Sequence, residues 1–581
     1  AAAEPFRGTL LQKGYAKEML IVRRPSEQPF ERIQKIVDDE GDQYTIASAS
    51  LLVLPVTAEA IEIAKLPYRG GARVFINSRG LFNVINELNL EDYLRGVVPN
   101  ELGPRIYDEL EAQKAQTLAA RTYAVGRLGE YAPEGYDICP TPACQVYRGY
   151  STEEKLSDQA IAETAGLIIT HEGKPIDALY TSTCGGETSD VGVMFPGRTD
   201  PYLRRARCVE MEMVTIAGRA DSGILNEVQG DARLFAALAK VPERADHWSA
   251  NALVNLVSKA ASLAGMTLDP ALAPRSIRRG DALAYIGEAF ELVEGANVVL
   301  LPEDRAYYFP QSELQTPLAL AASFLIKYKI APTQHLDRVD DSSPMPRDEV
   351  MALLYSWLRR SEAIREATGK IAAVNGREVV LKAEGMRKSY RLPAQIPLLR
   401  RMGERLQEYS SLPIMIGDRA SILLERGGAP AAMVVQANYD GASFDRTSSY
   451  ANWVRSYRAD ELVSSIGRRN PIQKLLGIRP LVVDLSHRIA EMEITAEDGR
   501  TFVLRGLPVR WSLNVPDNLF VSMKSSDPDG MDRYTFFGKG WGHGVGLCQV
   551  GAYGMAFRGW TAEQIIKRFY SGVEIVKWGG K

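Results

Sequence analysis

The sequence predicts an α+β protein: a mixed domain split by an insertion, the insertion itself part helical and part a small β-barrel. Three observations carry this reading. Residues 1 to about 85 alternate apolar and polar side chains in short runs broken by Gly and Pro, the period of half-buried strands. Residues 225–365 change to apolar spacings of three and four, the period of helices. Residues 370–436 return to short strand-like runs split by Asn375-Gly376, Gly417-Asp418 and Gly427-Gly428, and from Ser448 onward the two textures mix again. The boundaries that follow are 1–67, a β-rich segment; 68–215, the first half of the mixed core; 216–368, the helical insertion; 369–447, the small β domain; and 448–581, the second half of the core.

Within the first half, the runs Tyr44–Ile46, Leu51–Val56 and Ala72–Ile76 read as strands, and the run from Leu81 is a strand leading into Asn89-Leu-Glu-Asp-Tyr. A long helix is expected from Glu109 to Leu128, capped by Asp108, with Ala115, Leu118, Thr122 and Val125 as its core stripe. A second helix, Glu153 to Thr164, precedes strands at Leu167–Thr170 and Ile176–Thr181. In the insertion, His247-Trp-Ser-Ala250 followed by Arg278-Arg-Gly-Asp-Ala-Leu283, and again Met345-Pro-Arg-Asp-Glu-Val350, place an Arg and an acid at the start of a helix. This pattern resembles S-layer homology modules, which bind cell-wall polymer. Near the end, Thr561-Ala-Glu-Gln564 is a capping box opening the last helix.

Composition excludes several classes. The 69 Lys and Arg balance 72 Asp and Glu to a net charge of −3, without the basic field that phosphate neutralisation needs, so nucleic acid is not expected as a partner. The longest nearly unbroken apolar stretch, Leu318–Ile326, is far short of the ~20 residues of a helical span. The start has no basic segment followed by an apolar core; Ala1-Ala-Ala-Glu4 reads either as the small-residue edge left by signal-peptide cleavage or as a trimmed start. This end of the chain does not itself show export; an extracytoplasmic location, in the periplasm or cell wall after removal of a signal peptide, is what the family resemblance of the motifs below implies.

Common catalytic motifs do not fit. No Gly-Lys pair precedes Ser or Thr, His171-Glu172 lacks the second His of a zincin, and C-x-x-C does not occur. Three other segments carry chemistry. Glu101 follows Val97-Val-Pro-Asn and precedes Leu-Gly, a setting that desolvates a carboxyl and favours its proton-donating form. Arg121 falls within about 60° of Leu118 on the helix wheel, where an Arg snorkels or meets a buried acid or substrate. Tyr180-Thr-Ser-Thr-Cys-Gly-Gly186 is a tight polar turn. Between Gly538 and Gly546, five Gly in nine positions allow close approach of a ligand or another chain. There Trp541 offers a stacking face for a sugar ring, and His543 a group that titrates near neutral pH.

Six motifs in a fixed order together resemble the SpoIID/LytB family of bacterial peptidoglycan proteins. They are Leu90-Glu-Asp-Tyr-Leu-Arg-Gly-Val-Val-Pro-Asn-Glu101, Lys114-Ala-Gln-Thr-Leu-Ala-Ala-Arg121-Thr-Tyr, Cys144-Gln-Val-Tyr-Arg-Gly149, Ser182-Thr-Cys-Gly-Gly186, Pro201-Tyr-Leu-Arg204 and Gly540-Trp-Gly-His-Gly-Val-Gly-Leu-Cys-Gln549. The resemblance covers about 68–215 and 448–575. In SpoIID-type members it implies a lytic transglycosylase that cleaves the MurNAc-β-1,4-GlcNAc bond of glycan strands, which in SpoIID-type systems have lost their stem peptides, and leaves a 1,6-anhydro end. Glu101 falls at the family's acid, with Arg121, Tyr202, Arg204, Trp541, His543 and Gln549 as substrate-binding residues. No cofactor is implied. LytB-type members imply the rival reading, a non-catalytic modifier that enhances a cell-wall amidase. Some relatives bind zinc through a His beside the Cys pair; here no His precedes Cys139 and Cys144, and two thiolates are too few, so no metal is expected. Among the cysteines, four allow three pairings. The expectation is 139–144 and 184–208, with Cys548 reduced and buried, since an exported chain favours oxidation of neighbouring thiols.

Overall fold

A computed structural model describes residues 19–22, 33–38, 41–48, 50–55, 59–77, 81–209, 213–219, 223–243, 247–308, 316–330, 343–403, 405–437, 441–497 and 499–579. The start of the expected β-rich segment, residues 1–18, lies outside them. The chain divides into two compact units: a mixed unit of 1–211 and 440–581, and an inserted unit of 212–439. No helix among the described residues is long and apolar enough to cross a membrane.

The mixed unit is built around the helix Leu110–Gly126. It starts after Glu109 rather than Asp108, and Glu109 makes no side-chain cap bond. The helix is Ala-rich, so other elements approach it on several sides: the helices Lys155–Glu163, Gln549–Phe557 and Ala562–Phe569, and the strand Leu167–His171. Several of its interior polar groups are satisfied locally, although the buried Gln116 amide finds no hydrogen-bond partner among the described residues. Thr117 and Thr122 hydroxyls donate to carbonyls one turn back, and Gln113 Nε2 donates to the carbonyls of Leu102 and Tyr107. Upstream, the helix Leu90–Arg95 is capped by Asn89, whose side chain accepts from the Asp92 N–H, and the short helix Val98–Glu101 carries Pro99 in its first turn.

The two halves of this unit are sewn together by backbone pairing. Tyr180–Thr181 runs parallel to Leu547–Cys548, and Leu167–His171 pairs antiparallel with Glu574–Lys577. The run expected as one strand over Ile176–Thr181 is thus a strand only at its end. The capping box at Thr561 and Gln564 is present. The chain leaves this unit beside the place where it returns: Val209 bridges Ser443, and the Phe444 N–H donates to the Cys208 carbonyl at 2.9 Å.

The inserted unit has its own helical layer, including Glu227–Ala239, Ala250–Ala264, Arg279–Ala289 and Arg347–Arg360, over a core of Leu, Phe and Ala. The two S-layer-like pieces interlock: Trp248 Nε1 donates to the Met345 carbonyl at 2.7 Å, and Arg279 pairs with Glu349. The expected small barrel is instead an open eight-stranded sheet. Its order is 223–225, 405–408, 398–402, 430–436, 419–424, 365–375, 378–383 and 386–391, with a separate pair of 214–217 and 411–414. Among the described residues the two end strands do not pair, so nothing closes the sheet.

Candidate functional site

Glu101 ends the short helix Val98–Glu101 and is partly buried. Its Oε1 accepts the Val146 N–H at 2.8 Å. Gln549, the first residue of the helix Gln549–Phe557, donates from Nε2 to the Glu101 carbonyl at 3.1 Å and to Oε2 at 3.4 Å. The Tyr180 hydroxyl is a third hydrogen-bond partner of the carboxyl. Tyr180 is in turn held by Gln145, whose Nε2 donates to its hydroxyl at 3.2 Å and to the Ala120 carbonyl at 3.1 Å, while Tyr93 donates to Gln145 Oε1 at 3.0 Å. Every one of these partners is neutral. Burial therefore dominates and raises the Glu101 pKa above the usual carboxylate range, opposed by the bonds from Val146, Tyr180 and Gln549.

The Gly-rich segment reaches this carboxyl through Gln549, 448 residues away in sequence. Its glycines bring it against its own chain. Gly542 has φ +124°, and a Cβ there would lie 2.1 Å from Thr181 Oγ1; Gly544 has φ +67°, and a Cβ would lie 2.2 Å from Arg488 Nε. Thr181 Oγ1 accepts from the Gly544 N–H and donates to the Trp541 carbonyl. The Trp541 side chain is 40% exposed, edge-on to Tyr450, and so offers a face to solvent.

Other expected residues stand differently. His543 does not titrate near neutrality: burial, then the charge of Arg510, pushes its pKa down to about 4, and its Nδ1 accepts the Val545 N–H at 3.2 Å. Arg121 cannot face a substrate. It is fully buried, paired with Glu91 through Nε and Nη2, and its remaining donors go to Thr164, Leu167 and Ile161. The Tyr202 hydroxyl accepts the Asp177 N–H and donates to Asp200, and its ring packs on His171. Arg204 is exposed. The structure thus brings Glu101 and Gln549 together, and leaves Arg121, Tyr202 and Arg204 with other partners or solvent.

Cys139 and Cys144 form a disulfide. The expected 184–208 bridge is absent: Cys184, Cys208 and Cys548 are free and buried. Cys184 and Cys208 do converge, within 4.8 Å, but as two members of a group of four that Cys548 and Asp445 complete, so neither thiol has the other as its single partner. Sequence reasoning also missed Tyr180 and Gln145, although both lie in or beside quoted motifs, and the buried pair Arg488–Asp517, for which no local signal exists.

The Stage II sporulation protein family, SpoIID, matches residues 78–171, and a domain of unknown function, DUF8618, matches residues 432–546. Similar proteins include an uncharacterized protein of Brachyspira hyodysenteriae, 37% identical over 134 residues, 23% of this chain and 36% of that one. The amidase enhancer of Bacillus subtilis is 39% identical over 110 residues, 19% of this chain and 14% of the enhancer. Stage II sporulation protein D of Bacillus subtilis is 33% identical over 138 residues, 21% of this chain and 39% of that protein. The chain therefore matches well under half the length of each of these relatives.

Proposed function

Residues 78–171 make this chain a member of the SpoIID/LytB family, and from that premise we propose that it is a peptidoglycan lytic transglycosylase with Glu101 as its acid. The observation that carries the reading is a carboxyl at the family's acid position, held by neutral donors, whose pKa burial raises above the ordinary carboxylate range. The protonated Glu101 gives its proton to the glycosidic oxygen as the bond from C1 of MurNAc breaks. The sugar's own 6-hydroxyl then attacks C1 and returns its proton to Glu101, closing the 1,6-anhydro ring. No second carboxylate is needed to activate water, which fits the neutral company around Glu101. Trp541 supplies a stacking face, and His543, neutral at pH 7, acts in positioning.

Digestion of purified glycan, with and without stem peptides, tests the proposal. Wild type is expected to release anhydro ends seen by mass spectrometry; none from either substrate would sink it. A second reading is favoured by the relative named amidase enhancer. On that reading the chain yields no anhydro ends but accelerates peptide release when a cell-wall amidase is added.

Tyr180→Phe removes a bond that favours the ionised carboxyl. The Glu101 pKa then rises further, so the basic limb of the pH–rate profile should move to higher pH. A limb that moves to lower pH would contradict the assignment. The inserted unit is assigned the holding of wall polymer, from its S-layer-like pieces. Joining Val209 to Ser443 with a short turn should keep cleavage of soluble glycan and weaken retention on intact sacculi. Undiminished retention would count against that role.

A further inference from the structure

We propose that Cys184, Cys208, Cys548 and Asp445 together hold one structural zinc ion. The four side chains come from four separate segments, two from each half of the mixed unit, and all are 0% exposed. Their ligand atoms lie within 4.8 Å of one another. Thiolates about 2.3 Å from a tetrahedral zinc sit roughly 3.8 Å apart, so the set closes on the ion with only a small contraction. Three sulfurs and one carboxylate are the soft-dominated donors that zinc selects over magnesium or calcium.

A second observation points to a cation independently of the thiols. Asp445 Oδ2 accepts the Gly185 N–H at 2.7 Å and lies 3.6 Å from Cys548 Sγ, and Ser443 is a further side-chain partner of the carboxyl, while the buried Oδ1 meets no donor in hydrogen-bond geometry among the described residues. A buried carboxylate oxygen without a donor is costly unless a positive charge meets it. The surroundings are also shaped for sulfur. Cys548 Sγ accepts N–H bonds from Cys184 and Gly551, each at 3.3 Å, the outer contacts that orient a ligating thiolate. A Cβ on Gly551 would lie 2.4 Å from Cys208 Sγ and 2.9 Å from Cys548 Sγ, so a glycine there leaves the sulfurs room to converge. Arg488 donates to the Cys184 carbonyl at 2.6 Å and sets positive charge beside a net-negative cluster. A disulfide between any two of the thiols would strand the third and leave Asp445 without a cation.

With four protein ligands the site has no open position, so its role is to staple rather than to catalyse. Zinc binding displaces the thiol protons into solvent. The test uses the full chain purified without chelators and reconstituted with Zn²⁺. Elemental analysis should give about one zinc per chain, and X-ray absorption at the zinc edge should give three sulfurs and one oxygen. Co²⁺ in its place should give the visible bands of a tetrahedral thiolate site, and Asp445→Asn or Cys208→Ser should lower the retained metal at least tenfold. The wild-type spectra stand even if a variant fails to fold. Less than about a tenth of a zinc per chain, coordination by fewer than three sulfurs, or a disulfide among Cys184, Cys208 and Cys548 would overturn the site.

Discussion

Glu101→Gln is expected to cut the yield of anhydro ends by between about 10² and 10⁴, the usual contribution of a positioned general acid. Folding should be nearly untouched. The replacement is close to isosteric and keeps an oxygen for the Val146 N–H, so circular dichroism and the unfolding midpoint should match wild type. An unchanged yield from a folded variant would place the acid elsewhere. In wild type the rate should fall as pH rises through the folded pKa of Glu101. That value is raised by burial, so activity should persist to a higher pH than an exposed carboxyl would allow.

The largest stability effect is expected from Arg488→Met. Arg488 and Asp517 are both 0% exposed, joined through Nε at 2.9 Å and Nη2 at 3.2 Å. The same guanidinium donates to the carbonyls of Glu187 and Cys184. Removing it leaves a buried carboxylate with only the Leu519 N–H, and two carbonyls without their donor, a loss of about 3–5 kcal/mol. Urea unfolding of the full chain, followed by the transition of the mixed unit, should show it. The double variant Arg488→Met/Asp517→Leu should recover part of the loss, because the stranded charge is gone. A single-variant loss below about 1 kcal/mol would mean that solvent reaches Asp517.

The residues that were legible share one property: their signal is local. Glu101 was marked by its apolar neighbours, and the capping box at Thr561 by four consecutive residues. The partner of Arg121 was not legible. Its helical position gave the alternatives of snorkelling, a buried acid or a substrate, but only the fold places Glu91 against it. His543 was misjudged because a sequence shows neither burial nor the charge of Arg510. The strand period marked the runs of the inserted unit correctly as β, yet period two carries no information on whether the first and last strands meet, so a barrel was expected where the sheet is open. Proximity in sequence pairs Cys184 with Cys208, but the other two groups of their cluster, Asp445 and Cys548, are contributed from beyond the insertion.

The bridge between Val209 and Ser443 has a consequence for how this chain could have been assembled over evolutionary time. Seen from the mixed unit, the entire inserted unit is the tip of a turn whose two stems are already in register. Loop-closure entropy grows only with the logarithm of loop length, about 0.6 kcal/mol for each doubling. A host that tolerates a short connection at this point therefore tolerates a very long one, particularly one with a hydrophobic core of its own. A cassette at this junction can be lengthened, exchanged or lost while the bonds that Val146 and Gln549 make to Glu101 stay as they are.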